Sequence, residues 1–202
     1  MKDKVVDYFL EKIKNNRPDL DIIKLEELRY GLIGLYTLIT KTTVIVLLAI
    51  ILGFFKDFLI FLFFYNLLRS VGFGTHAKSN IMCWIFSTLL LLGIPYIFTL
   101  LKLSTIVKSI IWSICFLNFV IFCPADTDKR PMINKVRRMK FKLAILIISI
   151  IYLVLIFKID YISNLILAAM ILESLLANPL GYILMGQKVR FHLNDINIFK
   201  LK

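Results

Sequence analysis

Polar chemistry is scarce in this chain of 202 residues, which has two histidines, three cysteines and only thirteen acidic side chains. A disulfide framework needs paired cysteines in an oxidising compartment, and nothing in the placement of Cys83, Cys115 and Cys123 along apolar segments suggests one. His76 and His192 stand too far apart for a structural zinc site. There is no phosphate loop and no dinucleotide fingerprint, so no cofactor is expected. Residues 1–30 mix acids with bases and hold no continuous apolar core before Gly31, which argues against a cleaved signal peptide. No internal repeat or low-complexity tract interrupts the chain, and a single domain over residues 1–202 is expected.

What is abundant is apolar surface. Hydrophobic residues make up 59% of the sequence, and the mean hydropathy of +0.84 lies well above that of soluble domains. The surplus must face lipid. Six apolar segments are expected to cross a membrane, at 31–55, 57–69, 81–101, 105–123, 141–158 and 161–185, with the second short against the roughly 20 residues a spanning helix needs. Such a span is tolerable if it packs inside a bundle or thins the bilayer. Ahead of them, Val6, Phe9, Leu10 and Ile13 recur at helical spacing. A second short helix through Ile22, Leu25 and Leu28 follows. Residues 1–30 therefore read as amphipathic helices lying on the surface. The expected fold is an all-α polytopic membrane helix bundle over 31–185, with a tail at 186–202.

The net charge of +12 comes from twenty-five Lys and Arg against thirteen Asp and Glu. In a soluble protein it would raise nucleic acid as a partner, but its distribution points elsewhere. Twenty of the basic residues fall in four windows, 1–29, 69–80, 124–142 and 186–202. With six spans and both termini cytoplasmic, all four windows lie inside, as the positive-inside rule requires. Merging the first two segments would put 129–142 outside. The densest basic stretch, Lys129, Arg130, Lys135, Arg137, Arg138, Lys140 and Lys142, suits anionic lipid head groups or an acidic peptide tail.

The best candidates for chemistry are His76 and Cys83, seven residues apart at the start of the third segment. A thiol becomes a nucleophile when a base takes its proton, and an imidazole is suited to that work. In one unbroken helix the pair would be separated by about 10.5 Å of rise, so the chain should bend between them. Ser79 is a plausible N-cap, placing Cys83 in the first turns of a helix, whose positive end favours a thiolate. Spacing alone favours His76 as an interfacial loop residue and Cys83 as a small apolar filler, without settling the choice. Asn118, Asp126, a backbone carbonyl or nothing at all could orient the imidazole. Arg69 suits a carboxylate or a polarised carbonyl, and equally an interfacial anchor. Gly74 suits close approach of a substrate backbone or a plain turn. Lys41 and Glu173 interrupt apolar runs and should face the bundle interior, paired with each other or with Glu173 on Arg69. Asn178 and Pro179 should kink the last span and free a backbone carbonyl. Cys115 and Cys123 read as packing residues, and His192 as part of the tail.

The run from Arg69 to Cys83 resembles the signature of the AgrB family, the membrane cysteine endopeptidases of Gram-positive quorum-sensing systems. That pattern is Arg, three residues, Gly-Gly, one residue, His-Ala, and a Cys seven after the His. Here Phe73 stands at the first glycine, while Gly74 keeps the second and Gly72 adds one earlier. A second match, Pro124-Ala125-Asp126-Thr127 followed by Asp128, Lys129, Arg130 and Pro131, is similar to the family's Pro-Ala-Asp-Thr loop. The resemblance implies that Cys83 attacks a peptide carbonyl of an AgrD-like precursor with His76 as its base. A C-terminal tail is released, and the resulting thioester is closed into a thiolactone or lactone ring. Arg69, Gly74, Asp126, Lys129 and Arg130 would bind substrate or support the site. It also implies a homodimer in the cell membrane, acting at the cytoplasmic face. Two competing readings are a peptide exporter with Lys41 and Glu173 along its path, and a non-enzymatic scaffold for a sensor kinase.

Overall fold

The structure is a computed structural model that describes residues 2–17, 20–75, 80–125 and 134–187, with Asn80 and Ile81 as backbone. The described residues form helices and connecting turns, with no strand among them. They fall into two compact units, Met1–Leu52 and Gly53–Lys202.

In the first unit, α1 (Lys2–Asn16) packs against α2 (Ile22–Ile51). Asp21 caps α2, its carboxylate accepting the Ile22 amide at 2.7 Å. An exposed ion pair joins Arg29 to Asp7 at 3.2 Å. The short helix expected through Leu25 and Leu28 is continuous with the first span: α2 runs unbroken for 30 residues. No proline or cap residue separates the two patterns, and once nucleated a helix propagates through them.

The second unit holds α3 (Phe55–Gly72), α4 (Asn80–Leu100), α5 (Thr105–Phe122), α6 (Lys135–Lys158), α7 (Asp160–Ala177) and α8 (Pro179–Leu184). α7 is its centre, packed against α3, α4, α5 and α6. Ser163, Ala168, Ala169 and Ser174 are buried along it, and such small side chains let neighbouring helices approach closely. The outer helices behave oppositely: large apolar residues such as Leu89, Ile106, Leu117, Ile147 and Ile151 are exposed. That is the signature of a bundle whose solvent is lipid.

Among the described residues, five helices are long and apolar enough to cross a membrane: α2, α4, α5, α6 and α7. The second expected span, 57–69, corresponds to α3, an 18-residue helix carrying Lys56, Asp57 and Arg69. Phe58, Phe61, Phe64, Tyr65 and Leu68 bury one side of it. This is the interior position that makes a short, charged span tolerable.

Buried hydrogen bonds fix the packing. The Tyr152 hydroxyl donates to the Phe64 carbonyl at 2.8 Å, and the Trp112 indole to the Ser149 carbonyl at 2.9 Å. One end of the bundle gathers the N-termini of α3, α5 and α7. There Tyr161 donates to Asp57, Lys108 donates to Ser163 at 2.7 Å, and Asn164 reaches the Leu101 carbonyl after α4 at 2.7 Å. The C-termini of α3, α5 and α7 meet at the opposite end, where the sequence motifs lie.

The last expected span, 161–185, is two helices rather than one kinked helix. Asn178 ends α7 and caps α8, its side-chain oxygen accepting the Gly181 amide at 3.1 Å, with Pro179 in the first turn. A capping Asn followed by Pro starts a new helix, because the ring locks φ and removes the amide that would continue the old one.

Candidate functional site

α3 ends in a left-handed residue. Phe73 has φ 62° and its amide returns to the Arg69 carbonyl. Glycine takes this conformation freely, while a side chain raises its energy by about 1–2 kcal/mol. Phe73 stands where the motif has its first glycine, so the backbone turn survives the departure. Its ring is seated edge-on against Phe141 of α6, 4.7 Å between centroids. The Arg137 guanidinium lies over the other partner, 5.7 Å from the Phe141 ring. The basic start of α6 is thereby tied to the motif turn.

After Phe73 the chain packs against α7. The Thr75 amide donates to the Leu176 carbonyl at 2.9 Å. In a continuous helix that carbonyl would take the amide of residue 180; the break at Asn178 releases it. This is the freed carbonyl expected from Asn178 and Pro179, and the motif turn uses it. The Ala125 amide of the second motif donates to the Gly72 carbonyl at 2.8 Å. Two sequence motifs are thus joined by a backbone hydrogen bond between residues 53 positions apart.

Arg69 lies at the centre of this arrangement. Its Nη1 is 3.5 Å from Glu173 Oε2, and its Nη2 donates to the Thr75 carbonyl at 3.0 Å. Glu173 is completely buried, and of the two partners expected for it the structure selects Arg69. Among the described residues no partner reaches Glu173 Oε1 or the buried Thr75 hydroxyl. Both glycines of the turn are under steric constraint. A Cβ on Gly72 would run into Glu173 Oε1, and one on Gly74 into Arg69 Nη1 and the Leu176 side chain. What approaches Gly74 so closely is the guanidinium and α7.

Cys83 is the fourth residue of α4, half-buried, its sulfur 3.9 Å from the Ser87 hydroxyl. The first turn of a helix presents unsatisfied backbone amides. Cys115 and Cys123 are buried packing residues, and none of the three cysteines forms a disulfide. Asn118 donates to the Ile114 carbonyl one turn back in its own helix. The basic stretch from Lys135 to Lys142 forms the first turns of α6, capped by Asn134. His76, Ser79, Asp126, Lys129, Arg130 and His192 lie outside the described residues. Among the described residues no group of His, Cys, Asp and Glu is arranged to hold a metal ion.

Glu173 and Leu176 are the contributors to this site that sequence reasoning underrated. An acid inside an apolar run signalled Glu173. Leu176 acts through its carbonyl, for which the Asn178-Pro179 break was the only signal.

Fold and site together define an all-α polytopic membrane protein, with a buried Arg-Glu pair holding a glycine-rich turn at one end of the bundle. The chain belongs to the family described as Accessory gene regulator B, which it matches over residues 4–177. It is 29% identical over 182 residues to Accessory gene regulator protein B of Staphylococcus epidermidis, covering 89% of this chain and 92% of that one. It is 28% identical over 181 residues to the protein of that name from Staphylococcus aureus (strain bovine RF122 / ET3-1), covering 89% and 96%. The Staphylococcus carnosus protein is 28% identical over 138 residues, covering 68% and 72%. No solved structure matches the chain.

Proposed function

We propose that this protein is a membrane-embedded cysteine endopeptidase of a quorum-sensing system, removing the C-terminal tail of an AgrD-like precursor. His76 takes the Cys83 proton, and the thiolate adds to the scissile carbonyl. The C–N bond then breaks, and the tail leaves as an amine that recovers the proton from His76. The precursor remains bound as a Cys83 thioester. A Cys or Ser within the precursor gives up its proton, attacks that thioester, closes the thiolactone or lactone ring and returns the Cys83 thiol. An intramolecular nucleophile has a large effective concentration, so closure competes with hydrolysis where water is scarce.

The observation that carries this reading is the pairing of two features. Cys83 sits in the first turn of α4, and the chain enters residue 76 from a Thr75 held through both its amide and its carbonyl. A nucleophile at a helix N-terminus and a base delivered from a fixed turn suit acyl transfer. Both termini and the basic windows face the cytoplasm, so the site lies at the inner leaflet. There Asp126, Lys129, Arg130 and the start of α6 receive the charged tail and anionic head groups. The active unit is a homodimer. Glu173, fully buried and engaged by Arg69, serves this turn better than it serves a transport path.

An AgrD-like precursor peptide, mixed with the full-length protein in lipid vesicles, tests the proposal. Wild type should release the tail and form an adduct on Cys83 that hydroxylamine removes. Cys83→Ala and His76→Ala should insert normally and release none. Cleavage by either variant overturns the mechanism, and export without any adduct favours the transporter.

A further inference from the structure

We propose that Glu173 is a positioning residue for the reaction at Cys83, acting through Arg69 on the peptide group that leads into His76; this rests on the peptidase reading above. The Thr75 carbonyl is half of the peptide bond to residue 76, so whatever holds that oxygen sets the direction in which the chain enters the base.

Two groups hold Thr75. Leu176 of α7 takes its amide, and Arg69 donates to its carbonyl. The Leu176 contact is backbone and depends only on the helix break. The Arg69 contact depends on where a long, flexible side chain comes to rest, and Glu173 decides that. With Glu173 Oε2 on Nη1, the planar guanidinium is fixed with Nη2 aimed back at the turn. A fork of this kind can bridge a carboxylate on one side and a carbonyl on the other, which a lysine cannot do in one plane. Gly74 and Gly72 leave the space in which carboxylate and guanidinium meet. A carboxylate taken wholly into the core, one oxygen on Arg69 and the other without a described partner, is costly for stability alone. Its presence at this place fits the task of orienting Arg69.

The test reads the reactivity of Cys83 toward iodoacetamide in the full-length protein in vesicles, located by peptide mass spectrometry, across pH. Wild type is compared with His76→Ala, Glu173→Gln and the double variant Arg69→Gln/Glu173→Gln. A base in place raises thiolate at neutral pH, so wild type should label about tenfold faster at pH 7 than His76→Ala. Glu173→Gln should fall to within about twofold of His76→Ala at pH 7 and rejoin wild type near pH 10, above the ordinary range for a thiol. The double variant leaves no lone buried charge. It should extract as intact protein and still label slowly, carrying the test if the single variant does not fold.

Wild-type labelling at pH 7 in either Glu173 variant overturns the inference. So does slow labelling that persists at pH 10, which marks lost access rather than lost activation. If His76→Ala matches wild type throughout, the peptidase reading itself falls and the inference with it, an outcome distinct from the other two.

Discussion

Arg69 and Glu173, 104 positions apart in the chain, form an ion pair across 3.5 Å between the end of α3 and the last turns of α7. The pair closes a circuit: α7 holds Arg69, Arg69 holds the Thr75 carbonyl, and the Thr75 amide returns to α7 at Leu176. The Gly72 carbonyl extends the circuit to Ala125 of the second motif.

Removing one member of this pair leaves the other charge buried. Glu173→Leu should lower stability by about 3 kcal/mol or more, and Arg69→Leu/Glu173→Leu by clearly less, because the double change removes the uncompensated charge. Thermal unfolding in one detergent, wild type beside the two variants, checks the order. A double variant less stable than Glu173→Leu would contradict it.

The glycines divide by what surrounds them. Gly72→Ala and Gly74→Ala drive a methyl into Glu173 and Arg69 and should cost about 1–3 kcal/mol, with loss of tail release. Gly31→Ala and Gly34→Ala meet nothing within 4 Å in α2 and should be neutral or stabilising by about 0.5–1 kcal/mol. Unfolding midpoints for the four single variants separate the two groups.

Phe73 offers a comparison between backbone and ring. Phe73→Gly loses the contact with Phe141 but frees the left-handed backbone, whereas Phe73→Ala loses the contact and keeps the strain. The glycine variant should be the more stable of the two by about 1 kcal/mol. Equal midpoints would mean that the turn relaxes away from positive φ once the ring is gone.

Fusing α7 with α8 should release the motif turn. In Asn178→Ala/Pro179→Ala the Leu180 amide becomes free to take the Leu176 carbonyl, in competition with Thr75. Hydrogen–deuterium exchange of the Thr75 amide should rise at least tenfold while α5 and α6 stay protected. Unchanged protection at Thr75 would show that the turn is held without Leu176.

Much of this architecture was legible beforehand, for identifiable reasons. Apolar runs near spanning length mark α4 and α5 almost to the residue, whereas the caps at Ser104, Asn134 and Asn178 came to light only in the structure. α6 begins at Lys135, earlier than the apolar run, because basic residues propagate a helix as readily as apolar ones. The continuity of α2 was hidden by a change of composition near Gly31, which alters the solvent a helix faces without breaking it. Within the site, the importance of Arg69 and Gly74 showed in the motif. What each touches did not, since the partner of Arg69 lies on another helix and the neighbour of Gly74 is Arg69 itself.

By itself the sequence determined that the chain lives in lipid as a helix bundle, because every long apolar run in a membrane must satisfy its own backbone. It also placed Cys83 near the start of a helix, because that is a local property of the chain. Only the tertiary structure decided that α7 is the buried axis, that Glu173 belongs to Arg69, and that the Leu176 carbonyl is spent on Thr75. Those are choices among partners far apart in sequence, settled by packing and by the requirement that buried charges and backbone groups find one another.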